Sequence, residues 1–187
     1  MLFRSSGKVS VLGAGIVGIC SALWLQREGF EVTVIDPNPP GSGASYGNAG
    51  CLSQASVVPM SMPGILQSLP HYLADPDSPL VLRWHYLTTL APWLWQFVRS
   101  GQRERVEEQA KALRSLLGPV FECLMPLVKQ AEAEHLIRKD GMLYVYRGEQ
   151  SLKRDALAWD LRRRNGIAFN RLTGKEITAF DPSLSDD

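Results

Sequence analysis

The stretch KVSVLGAGIVGICSALWLQREGFEVTVID, residues 8–36, decides the fold. Lys8 to Leu12 reads as a short buried strand. From Ile16 to Glu28 a helical pattern places Ile16, Ile19, Cys20, Leu23 and Trp24 on related faces, and Gly29 ends it. Glu31 to Asp36 returns as a second strand, with Val32, Val34 and Ile35 available for burial in a parallel sheet. Between the first strand and the helix lie Gly13, Ala14, Gly15, Ile16, Val17 and Gly18, a G-x-G-x-x-G turn. The first glycine permits a tight turn, the second admits a pyrophosphate close to the backbone, and the third lets helix and strand pack closely. A pyrophosphate there would meet open amides and the positive end of the helix dipole. Asp36 ends the second strand, where a carboxylate can accept hydrogen bonds from an adenosine ribose and would repel a 2′-phosphate. The pattern therefore predicts a β-α-β dinucleotide-binding unit.

A nicotinamide-binding domain would continue with another helix and a third parallel strand soon after the acid. Here residues 37 to 63 are rich in Gly, Pro, Ser and Asn, and the next convincing strand is MLYVY, Met142–Tyr146. A sheet interrupted after its second strand suits a flavin-binding variant, so FAD is the expected cofactor. The loop GSGASYGNAGC, residues 41–51, follows directly, with Ser45 and Asn48 as hydrogen-bonding groups among small residues.

Residues 11–36 together with GASYGNAGCLS resemble the D-amino-acid oxidase-like FAD-dependent oxidoreductases. Ser45, Asn48, Ala49 and Gly50 match the S-x-x-N-A-G form found in the flavin subunits of bacterial D-amino-acid dehydrogenases. The resemblance implies that this loop lies along the FAD, and that the activity is oxidation of the C–N bond of a D-amino acid to a 2-oxo acid and ammonia. The partners it implies are an amine or D-amino-acid substrate and an electron acceptor, either a membrane quinone chain or oxygen. Alternatives are a glycine- or sarcosine-oxidase-type amine oxidase of the same fold, or a catalytically incomplete chain needing a second one. Family members are much longer. The closing flavin motif and the residues that hold the substrate carboxylate are accordingly expected beyond residue 187, no catalytic residue is assigned, and the chain alone is expected to be inactive.

The expected organisation is α/β, a glutathione-reductase-like FAD-binding Rossmann unit with an incomplete sheet. Residues 1–60 read as the N-terminal part of the FAD-binding domain, 61–138 as a helical insertion and 139–187 as the beginning of a substrate domain. Pro59, Pro63, Pro70, Pro76, Pro79 and Pro92 are expected to cut the insertion's helices short. Arg103 to Ile137 carries a helical repeat of Val106, Ala110, Leu113, Leu117, Val120, Leu124 and Val128, interrupted at Gly118-Pro119 and at Pro126. Its charged residues Glu104, Glu107, Glu108, Lys111 and Arg114 read as a solvated face. SLKRDALAWDLRRRNG is expected to form one helix, whose Arg162, Arg163 and Arg164 complement the helix dipole. IAFNRLTGKEITAFDP should add a short strand and a helix.

Trp84, Tyr86, Trp93, Trp95 and Phe97, followed by Arg99, Arg103 and Arg105, suit either a helix seated in a membrane interface or aromatics packed on the flavin domain or a partner. A net charge of +1 over 187 residues, 45% of them hydrophobic, gives no reason to expect nucleic-acid binding. Cys20, Cys51 and Cys123 have neither disulfide nor zinc spacing, and His71, His85 and His135 stand apart from any triad or metal constellation. No metal site is expected. The anticipated location is cytoplasmic, with peripheral attachment to the inner membrane left open.

Overall fold

The computed structural model describes residues 7–67 and 84–184. His71 and the prolines at 70, 76 and 79 lie outside the described residues. The chain divides into two units, one of residues 1–52 and 119–141 and the other of residues 53–118 and 142–187.

In the first unit β1 (Lys8–Leu12) and β2 (Glu31–Ile35) are joined through α1 (Ile16–Arg27) and pair in parallel, Lys8 opposite Glu31 and Leu12 opposite Ile35. The β-α-β expectation holds within one residue at each boundary. Glu28 caps α1, and Gly29 follows with φ of 94°, a left-handed conformation that turns the chain back toward β2. α4 (Val120–Gln130) packs on α1, an arrangement that nothing in residues 8–36 announces. The Trp24 indole donates to the Cys123 carbonyl at 3.1 Å. Arg27 donates to the Pro126 carbonyl at 3.1 Å and to Gln130 Oε1 at 2.7 Å, with its guanidinium 5.0 Å from the Trp24 ring centre.

The expected burial of the two strands is not realised. Ile35 is 51% exposed and Leu12 79%, and Val34 is exposed too. A parallel sheet normally carries layers on both faces, and two strands with α1 do not supply them.

The second unit contains α2 (Leu87–Ser100), preceded by a 3-10 turn at Trp84–Tyr86, and α3 (Arg103–Leu117). It also holds α5 (Gly148–Arg154), α6 (Ala156–Arg164) and α7 (Gly174–Phe180). Val106 and Ala110 of α3 and Leu161 of α6 form its buried centre, with Val58, Met62 and Leu157 packed around them. Ser61 is buried and donates to the Phe97 carbonyl at 2.6 Å.

Several expectations fail here. Pro92 and Pro126 lie inside α2 and α4 and end neither. A proline removes one N–H, and the carbonyls four residues earlier belong to exposed Thr88 and Glu122, where water can take over the lost bond. Met142–Tyr146 and the segment after Gly166 form no strand. A strand exists only through its ladder, and among the described residues these segments find no strand to pair with despite a suitable composition. Residues 148–164 form two helices instead of one, with Asp155 serving as the last cap of α5 and the first of α6. There the Asp155 carboxylate accepts from the Tyr146 hydroxyl and caps neither helix.

Among the described residues no helix is long and apolar enough to cross a membrane.

Candidate functional site

The glycine turn between β1 and α1 is held from three sides. Gly13 has φ of 100° and extends the sheet by donating to the Ile35 carbonyl at 2.8 Å. Only a residue without a Cβ adopts that conformation freely. Gly18 sits so close to the turn that a Cβ on it would lie 1.9 Å from the Gly13 carbonyl oxygen, a backbone atom that cannot move aside. The third glycine of the motif is thus required by contact between helix and turn, as its spacing implied.

Asp36 is the second support. Its Oδ2 accepts from the Ala14 amide at 2.7 Å and its Oδ1 from the Asn38 amide at 2.8 Å. These bonds, Ala14's first, hold the carboxyl below the usual aspartate range. The acid placed by sequence as a ribose acceptor therefore also fixes the turn it faces. A carboxylate has about four acceptor positions, so each oxygen keeps a lone pair for a ligand hydroxyl.

The loop after β2 supplies the third support. Gly41 donates its amide to the Ala14 carbonyl at 2.8 Å, and the Ser45 hydroxyl oxygen accepts from the Ile16 amide at 2.9 Å. Ser45 therefore satisfies one of the first-turn amides of α1, whose N-cap, Gly15, has no side chain to do so. Ser45 Oγ would stand 3.2 Å from a Cβ at Gly15, which leaves little room for a side chain there. Asn48 turns onto its own loop, where its Oδ1 accepts from the Gly50 amide at 2.8 Å. Ala49 and Gly50 lie in that same exposed bend, and so does Cys51, which is not packed as a small apolar residue would be.

Ala14 is buried at the centre of the turn, whereas Ile16 and Val17 are exposed at the open end of α1. The amides of Val17 and Gly18 have no intrahelical partner and lie under the positive end of the dipole. An open first turn, a cradle that a Cβ would fill and a carboxylate with spare acceptor capacity fit the diphosphate and ribose of a dinucleotide.

Because folding lowers the Asp36 pKa, its ionised form contributes stability that is fully present above the ordinary aspartate value. That contribution is lost as pH falls through the lowered one. Acid titration should accordingly release a bound dinucleotide at a pH below the usual aspartate range. Fluorescence of the released cofactor reads the midpoint, and Asp36→Asn should remove this component.

In the second unit the structure assembles a cluster that the sequence reading missed. Arg162 was placed in a basic last turn, but it is only 7% exposed. Its guanidinium carbon lies 4.5 Å from the Trp159 ring centre and 4.7 Å from that of Tyr144, an enclosure that explains the burial. Trp159 donates to the Tyr146 hydroxyl at 3.0 Å, and burial followed by the Asp155 hydrogen bond pushes the Tyr146 phenol up. The signal was there in the period-two placing of Tyr144 and Tyr146, which puts both on one side of an extended segment. Glu107 also departs from the expected solvated face, pairing with Arg103 and, at 3.1 Å, with Arg164.

A glycine turn closed by an acid just beyond β2 and tied to a Ser-Gly loop is the arrangement expected of a dinucleotide-binding β-α-β unit. Residues 8–187 match the family described as "DAO: FAD dependent oxidoreductase", and the chain belongs to that FAD-dependent family. It is 42% identical over 179 residues to a protein named D-amino-acid oxidase from Bradyrhizobium diazoefficiens, an overlap covering 94% of this chain and 42% of the relative. It is 33% identical over 183 residues to one named D-amino acid dehydrogenase 2 from Ralstonia nicotianae, covering 95% of this chain and 42% of that protein. The chain thus spans about two fifths of the length of these curated relatives. No solved structure matches it.

Proposed function

We propose that the protein carrying this chain oxidises the C–N bond of D-amino acids to 2-oxo acids and ammonia, with FAD as its cofactor. In this reading residues 1–60 are the N-terminal part of a Rossmann-type, glutathione-reductase-like FAD-binding domain. Residues 61–138 are a helical insertion, and 139–187 begin the substrate domain. The observation that carries it is the glycine turn held jointly by Asp36 and Ser45.

Here the first-turn amides of α1, including those of Val17 and Gly18, receive the diphosphate. Gly13, Ala14, Gly15 and Ile16 form the surface on which it rests, and Asp36 accepts from the ribose hydroxyls. Ser45 keeps its own hydroxyl proton free to donate while its oxygen accepts from Ile16, so it can bridge helix and phosphate. Asn48, Ala49 and Gly50 continue the contact along the cofactor. What FAD supplies when bound is acceptance of the α-hydrogen as a hydride; the imino acid so formed then adds water and loses ammonia. The names of the two relatives support the substrate class, and the acceptor that reoxidises the flavin is either oxygen or a membrane quinone.

Titrating the purified protein with FAD and with NAD tests the cofactor assignment. Quenched flavin fluorescence with FAD and no response to NAD is the expected result; a preference for NAD overturns it. Bleaching of the flavin absorbance by D-alanine but not by sarcosine under anaerobic conditions is expected of the protein carrying this chain. The reverse order would replace the substrate class.

A further inference from the structure

The chain leaves the first unit after residue 52 and re-enters it at residue 119, bringing in α4. Among the described residues this helix supplies Leu127 and Val128, two of the four buried hydrophobic residues of the unit, the others being Ala14 and Ala22. Besides β1 and β2, α4 packs on α1. Trp24 and Arg27 stand three residues apart on α1, on one face, and both reach it. The Trp24 indole donates to the Cys123 carbonyl, while a single Arg27 nitrogen, Nη2, donates to the Pro126 carbonyl and to Gln130 Oε1. The Arg27 guanidinium also lies over the Trp24 ring, so the two side chains hold each other as well as α4. The glycine turn is at the opposite end of α1, whose 12 residues make it about 18 Å long. There Gly18 rests against the Gly13 carbonyl and Ser45 accepts from the Ile16 amide, contacts that place this end of the helix. The direction of its axis then depends on what holds the other end.

We propose that Arg27 is a positioning residue for cofactor binding: by clamping α4 to the last turn of α1, it sets the direction in which the first-turn amides of α1 meet the FAD diphosphate. The inference rests on the FAD reading and adds to it a residue at the far end of the helix from the cofactor. Hydrogen bonds from backbone amides are directional, and the helix dipole acts along the axis, so a tilt of α1 weakens both at once. The clamp is made of charge-assisted bonds from a guanidinium to a backbone carbonyl and a side-chain amide oxygen, which a positive charge alone does not reproduce. Binding and docking are then linked. If docked α4 favours the form of α1 that holds FAD, bound FAD must favour docked α4 by the same factor.

FAD titration combined with amide hydrogen exchange on the purified protein tests it. Arg27→Met should weaken FAD binding about five- to tenfold, within the usual range of coupling between sites. Arg27→Lys keeps the charge at the helix end without the guanidinium contacts and should not restore the affinity; full restoration by lysine would assign Arg27 to the helix dipole and overturn the proposal. Gln130→Ala should weaken binding too, and the two substitutions together should cost no more than Arg27→Met alone, because they break one clamp. In the unmodified protein FAD should slow exchange of the α4 amides by a factor of like size, and Arg27→Met should abolish that protection. A merely structural arginine would lower the urea midpoint and leave both the affinity of the folded protein and the protection of α4 as they were. The exchange measurement needs no variant, so it decides the matter even if a substituted chain fails to fold. FAD bound with exchange in α4 unchanged overturns the inference alone, whereas an unmodified protein that binds no FAD overturns the cofactor reading and this inference with it.

Discussion

Gly18→Ala is expected to lower FAD affinity at least a hundredfold and to destabilise the first unit. The added methyl would stand 1.9 Å from the Gly13 carbonyl oxygen and 3.0 Å from its carbon. Both are backbone atoms, so the clash is relieved only if α1 moves away from the turn. Such movement would pull the Ile16 amide from Ser45, undoing one of the supports of the site. Overpacking of this kind costs about 1–3 kcal/mol in stability, and a hundredfold loss of affinity corresponds to about 2.7 kcal/mol. Gly15→Ala is the control. Its methyl meets a serine hydroxyl at 3.2 Å, which can give by a few tenths of an ångström, so the stability should change less than for Gly18→Ala, while a methyl on the surface where the diphosphate rests should still lower FAD affinity. Flavin fluorescence quenching gives both affinities and urea unfolding gives the stabilities. If Gly18→Ala binds FAD as the parent does, the turn is not the cofactor cradle.

The second large effect is expected in the other unit. Leu161→Ala should cost about 2–5 kcal/mol, because Leu161 is 1% exposed and packs against Val106 and Ala110, which are themselves buried. With a urea slope of about 1–3 kcal/mol per molar, the midpoint should fall by about 0.7 molar or more. Arg162→Met, at the next position, makes a useful contrast. It removes a longer side chain, yet the Arg162 Nε and Nη1 atoms are buried without a hydrogen-bond partner. The stacking lost against Tyr144 and Trp159 is offset by relief of that desolvation, so a change smaller than for Leu161→Ala is expected. Should the two midpoints shift alike, Arg162 has a partner that its geometry does not reveal.

The first unit was legible because its information is local. Gly13 needs a positive φ, Gly18 needs contact without a side chain, and Glu31–Ile35 needs β-formers; each requirement is written in the residue that meets it. Met142–Tyr146 has the same β-forming composition and no ladder, since composition states a preference for a strand and pairing makes one. The prolines misled for a related reason. Pro92 and Pro126 forfeit one hydrogen bond apiece, and that loss is small where the orphaned carbonyl faces water.

The site shows the same division. Glycine spacing and a terminal acid were enough to predict a tight β-α turn at residues 13–18 with Asp36 beside it, because backbone sterics between near neighbours leave few other uses for that pattern. Nothing local could reveal that Asp36 would bond Ala14 across 22 residues, that Ser45 would reach Ile16 across 29, or that α4 would settle on Trp24 and Arg27. The enclosure of Arg162 between Tyr144 and Trp159 belongs with these, since a guanidinium at a helix end is solvated unless another segment covers it. Such contacts depend on where the chain returns in space, and only the packed fold decides that.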